Sequence, residues 1–117
     1  MRVMVFVKAT DESERGDAPE PFTSEMMAAM GRFNDQLRAA GVLKDVGGLL
    51  PSSQAKRVAF DGQSRLVTDG PFAETKEVVA GFWIWEVKDL DEAVAWVKLC
   101  PNPMPVASEI EIRPIAG

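Results

Sequence analysis

Two segments of this chain are apolar on both faces of an extended strand, and that property leaves few folds open. In "RVMVFVKA" (Arg2 to Ala9), Val3, Val5 and Val7 point one way, and Met4 and Phe6 the other. In "KEVVAGFWIWEVK" (Lys76 to Lys88), Val79, Gly81, Trp83, Trp85 and Val87 share one face, and Val78, Ala80, Phe82 and Ile84 share the opposite one. A strand with one wet face alternates apolar and polar residues; one without that alternation is central and covered on both sides. Both segments therefore belong in the middle of a sheet.

The other elements fall around them. "TSEMMAAMGRFNDQLRAAG" reads as a helix with Thr23 as N-cap, Glu25 at its positive end and Gly41 just past its end. Met26, Met30, Phe33, Leu37 and Ala40 form its apolar stripe. "DLDEAVAWVKLCP" reads as a second helix, with Asp89 and Glu92 at capping-box spacing, a stripe of Leu90, Val94 and Val97, and Pro101 as its stop. "VLKDVGGLL" is a weaker strand. "AKRVAF" and "SRLVT" flank Asp61-Gly62-Gln63 as a hairpin. "SEIEIRPI" alternates as an edge strand, with Ile110 and Ile112 opposite Glu109, Glu111 and Arg113. The acidic stretch "TDESERGDAPEPF" reads as a mobile surface loop, and the proline-rich "PNPMPVA" as a rigid one.

The order is strand, helix, strand, hairpin, strand, helix, strand. Two right-handed βαβ units with an inserted β-hairpin give an α+β, ferredoxin-like fold: one antiparallel sheet with both helices on a single face, in one domain spanning residues 1–117. The central strands of that topology are the two segments apolar on both faces. Two helices cover one face only, so the other presents bulky side chains without a roof. A soluble monomer rarely leaves such a patch wet, and a homodimer with its sheets packed face to face is expected.

Composition removes whole classes of chemistry. The chain has no histidine, which excludes Ser-His-Asp and Cys-His nucleophiles, imidazole bases and histidine-ligated zinc. No metal and no cofactor is expected. The single cysteine, Cys100, forms no internal disulfide, in keeping with a cytoplasmic location. A net charge of -5 without a basic run argues against nucleic acid as a partner. The apolar Met1 to Ala9 segment is too short to span a membrane.

"VTDGPFAETKE" (Val67 to Glu77) is the most distinctive stretch. As a corner, Gly70 and Pro71 shape the turn, Asp69 accepts from backbone N–H groups just downstream, and Phe72 plugs the core. As a site, Asp69, Lys76, Glu77 and the polar stripe Glu109, Glu111, Arg113 border one sheet, beside Trp83 and Trp85. A partly buried carboxylate there could exchange protons while Arg113 clamps an anion. Asp69 and Lys76 are then the catalytic candidates, and Glu77, Trp83, Glu109 and Arg113 the ligand-binding ones. Corner and site both stand as readings.

"VTDGPFAETKE", "GFWIWEV" and "EIEIRPI" together resemble the YCII-related family, specifically its DGPF branch, over essentially the whole chain. The resemblance implies a small ferredoxin-like domain that pairs into a dimeric α/β barrel. Some members act on small molecules through a His-Asp pair, which a chain without histidine does not carry. The expected function is a homodimer that binds a small anionic metabolite or a protein partner in a cleft on the dimer-facing side of the sheet. The alternative is a lyase, isomerase or hydrolase with Asp69 as acid or base and Lys76 and Arg113 stabilising an anion.

Overall fold

The computed structural model spans residues 1–117 and is a mixed α+β domain. Its elements run β1 (Arg2–Lys8), α1 (Asp11–Arg15), α2 (Phe22–Ala39), β2 (Leu43–Gly48), β3 (Lys56–Asp61), β4 (Ser64–Asp69), β5 (Val79–Glu86), α3 (Leu90–Leu99) and β6 (Ile110–Pro114). Short 3₁₀ turns lie at Ser52–Gln54 and Thr75–Glu77. Four strands form one sheet in the order β2-β5-β1-β6, every neighbouring pair antiparallel. The two doubly apolar segments are indeed its central strands. No helix is long and apolar enough to cross a membrane.

One face of this sheet carries the core. Val3, Val5 and Val7 of β1 lie beside Trp85, Trp83 and Gly81 of β5, and Phe33 and Leu37 of α2 and Ala93 of α3 close over them. Phe33 is the hub. Its ring meets Trp83, Trp85 and Trp96 edge-on, with centroids 6.0, 6.3 and 6.5 Å away. The Trp83 indole N–H donates to Asn34 Oδ1 at 2.8 Å, so its polar atom is satisfied inside the layer. Trp85 is fully enclosed and its indole nitrogen has no partner.

The opposite face has no helix over it. Met4 and Ile84 sit side by side, as do Phe6 and Phe82, and all four stay partly exposed. Glu111 and Arg113 of β6 flank Phe6 and Met4 on the same face. The Phe82 ring leans across β2 above Gly47, where a Cβ would stand 2.8 Å from a ring carbon. A glycine is needed there for that packing.

Three expectations change, and the hairpin stands apart from the sheet. The stretch after β1 is no featureless loop: Thr10 caps α1 by accepting from the Ser13 N–H while Ser13 Oγ accepts from the Thr10 N–H, and Gly16 ends the helix at φ 72°. Helix α2 begins at Phe22 after Pro21, with the Thr23 hydroxyl donating to the Ala18 carbonyl instead of capping. The inward stripe of α3 is Ala93, Trp96, Val97 and Cys100, whereas Leu90 and Val94 are exposed. Small Ala93 lets the helix approach the sheet, and Trp96 then reaches Phe33. Finally, β3 and β4 do not join the main sheet; they pair only with each other.

Candidate functional site

The DGPF segment is a built corner. The Gly70 N–H donates to the Ala55 carbonyl at 2.9 Å, and a Cβ on Gly70 would lie 1.7 Å from the Ser52 carbonyl oxygen. No other residue fits that space. Both Glu20-Pro21 and Gly70-Pro71 are cis. Beneath the corner, buried Ser52 ties its own 3₁₀ turn to α1 and to the DGPF segment. Its N–H and hydroxyl both donate to the Glu14 carboxylate of α1, and its Oγ accepts from the Phe72 N–H at 3.2 Å. Phe72 is half-buried under the Arg57 guanidinium, 3.6 Å from the ring centre, and does not enter the core.

Asp69 does not cap this corner. It ends β4, mostly exposed, and pairs across the hairpin with Lys56 Nζ at 2.6 Å. The sequence candidates are therefore dispersed. Trp83 faces the helices because it shares the face of its β1 partner Val5. It lies on the opposite side of the sheet from Glu111 and Arg113. Arg113 is largely exposed and pairs with Glu111 at 3.3 Å. Glu77 borders an open groove of about 680 Å³ at the base of the hairpin, with Leu49, Leu50, Phe72 and Val79.

Lys76 and Glu109 do come together. They line a cleft of about 430 Å³ at the carboxyl end of β1, with Lys8, Thr10, Asp11, Glu12, Thr75 and Ser108. A β-bulge between Val7 and Lys8 aims this end of the strand. The Lys8 N–H donates to the Glu109 carbonyl and the Ala9 N–H to that of Val78, so the walls are tied to the sheet. Lys8 Nζ pairs with Glu111 at 3.3 Å, and Glu111 also holds Arg113. Lys76 takes part in none of the protein's ion pairs. The cleft thus offers one uncommitted ammonium, one held in place and the Thr75 hydroxyl, bordered by carboxylates; the Thr10 hydroxyl is spent on Ser13 and Met104, and that of Ser108 donates to Asn102 Oδ1. Such a set can hold an anionic or mixed-charge small molecule by charge-assisted hydrogen bonds.

Sequence reasoning missed Lys8, Thr10 and Ser108. The signal for the first two was the polar end of an otherwise apolar strand, followed by Thr10-x-x-Ser13. No group of three or more His, Cys, Asp or Glu side chains is arranged to hold a metal. On the helix side, burial pushes the Cys100 thiol up to about 12, which makes it a poor nucleophile.

The model of the YCII-related domain matches residues 1–116. The chain belongs to the YCII-related family. This YCII-related protein is 38% identical over 77 residues to an uncharacterized protein of Rhizobium meliloti (strain 1021), a match covering 66% of this chain and 62% of that relative's length. Its fold is similar to that of the 5-chloro-2-hydroxyhydroquinone dehydrochlorinase of Burkholderia phenoliruptrix AC1100, solved in complex with 2,5-dihydroxybenzoquinone. The TM-score is 0.54 at 18% identity, covering 100% of this chain and 96% of that one.

Proposed function

We propose that this YCII-related protein is a homodimer of the ferredoxin-like, dimeric α/β-barrel kind that binds a small anionic metabolite in the cleft at the end of β1. The observation that carries the reading is the pairing of Lys8 with uncommitted Lys76 across a cleft of about 430 Å³, within the size range of small-molecule sites. The strand order β2-β5-β1-β6 supports the fold type, and the roofless Met4, Phe6, Phe82 and Ile84 face supports a second subunit over the sheet. Within the reading, Lys76 and Lys8 hold the ligand charge and the Thr75 hydroxyl orients it.

A second reading, a small-molecule eliminase or related enzyme, is favoured by the same cleft. Glu12 or Glu109 would take a proton there and Lys76 would stabilise the resulting anion. The neighbouring dehydrochlorinase fits this reading through fold alone. Asp69, ion-paired with Lys56 on the hairpin, is outside the cleft and is a weaker choice of base.

Thermal-shift measurements with succinate, benzoate and inorganic phosphate test the binding reading. A ligand at about 100 times its Kd stabilises the folded state by about 2.7 kcal/mol, a rise in Tm of several degrees. We expect that rise for at least one probe with wild type and its loss in Lys76→Ala. Equal rises in both proteins would contradict the assignment.

A further inference from the structure

The hairpin β3–β4 is the least self-sufficient part of the molecule. It makes no backbone pairing outside itself, and two isolated strands are marginal in water. Val58, Phe60, Leu66 and Val67 are each more than half exposed, Phe60 at 74%. The register places Val58 opposite Val67 and Phe60 opposite Arg65, so these side chains form one face of the ribbon. The hairpin also extends the chain: the radius of gyration is 15.9 Å, against about 13.4 Å for a compact domain of this length.

A complementary surface lies on the same molecule. The groove at the base of the hairpin is rimmed by Leu49 and Leu50, which are 51% and 71% exposed, and by Phe72. The lining of the groove carries Lys56 and Arg57 as well as Glu77, so charge complementarity comes down to single side chains. The hairpin carries Lys56, Arg57 and Arg65 against Asp61 and Asp69, within a chain of net charge -5. Arg65 donates only to the Gly62 and Ser64 carbonyls and stacks on Phe60; no carboxylate pairs with it. Glu77, on the groove, is likewise in no ion pair. An exposed apolar ribbon and an exposed apolar groove on one chain can satisfy each other across a two-fold axis, since each copy then supplies both halves.

We propose that the hairpin is an exchange arm. In a dimer of this chain each arm lies in the groove at the base of the other arm, with Val58, Phe60 and Val67 on Leu49, Leu50 and Phe72 of the partner subunit and Arg65 facing the partner's Glu77. The inference rests on the homodimer reading above and adds to it which element clasps the second copy. Asp69 closes the arm, so the Gly70-Pro71 corner that follows it is the arm's fixed shoulder.

Sedimentation equilibrium of full-length wild type, Phe60→Ser, Arg65→Glu, Glu77→Arg and the double charge swap R65E/E77R tests it, with circular dichroism melts as the control for folding. All three substituted positions are exposed, so melts of the monomeric form should coincide. The expected result is a wild-type dimer, a dissociation constant raised about tenfold or more in each single variant, and recovery in the charge swap. A wild-type dimer that none of the variants weakens overturns the arm and leaves a sheet-face dimer standing. Weakened singles without recovery overturn the stated register. A wild type that stays monomeric at high micromolar concentration overturns both the arm and the homodimer; the ribbon would then face a different protein.

Discussion

The sheet's helix-covered face and the hairpin arm are built from the same residue types to opposite ends. On the first, Val, Phe and Trp interdigitate until Val3, Val5, Leu37 and Trp85 lose all contact with water. On the second, Val, Phe and Leu stand exposed along a ribbon whose strands pair only with each other. Apolar content does not distinguish them. What differs is whether the chain supplies a second layer: α2 and α3 provide it for the sheet, and no element provides it for the arm. The residues that hold the molecule together and those available for recognition are thereby separated.

Substitutions should expose that separation. The largest expected effect is at Trp85→Ala, which empties a fully enclosed site against Phe33 and should cost about 3–5 kcal/mol in urea unfolding. Phe60→Ser, removing a comparable ring from the arm, should change monomer stability by no more than about 0.5 kcal/mol. Similar losses at the two positions would erase the distinction. Next comes the shoulder between the regions. Gly70→Ala should cost about 1–3 kcal/mol or more, because its methyl meets the Ser52 carbonyl. Asp69→Asn, one residue earlier, breaks only an exposed pair and should cost about 0–1 kcal/mol. Unfolding curves of the two variants decide whether the DGPF segment acts chiefly through its glycine.

A further contrast concerns pH, and it is confined to the alkaline range. Cys100 is raised from 9.0 to about 12 in the folded protein by burial against the sheet. The unfolded chain releases its thiol proton first as pH rises, so this contribution is fully present below pH 9 and is lost between 9.0 and about 12. Cys100→Ala should flatten the alkaline decline in stability, and the folded wild-type thiol should resist alkylation at pH 8.

These contrasts also explain what the chain made legible. The two central strands, the hairpin turn at Gly62 and the Asp89 cap were readable because each depends on local spacing or on one residue's conformational range. The rotation of α3 was not: Leu90 and Val94 looked as apolar as Ala93 and Trp96, and only the fit of a small residue against the sheet selects between the stripes. Candidate site residues fared less evenly. Lys76 and Glu109 meet in the cleft, but Asp69 is held on the hairpin by Lys56, a pairing fixed by strand register thirteen residues apart in sequence. Trp83 follows the face of Val5, so strand parity separates it from Arg113. Lys8 and Ser108 carry no motif at all; the topology alone places them together, where β1 ends and the chain approaches β6.

The central claim is that the cleft between Lys8 and Lys76 is where this protein meets a small anion. Backbone amide chemical shifts followed by NMR during titration with succinate, benzoate and phosphate at constant ionic strength test it directly. The account predicts that at least one probe gives saturable changes confined to Lys8–Glu12, Thr75–Lys76 and Val106–Glu109. Changes that never saturate, or that cluster along the groove beneath the hairpin, would contradict it.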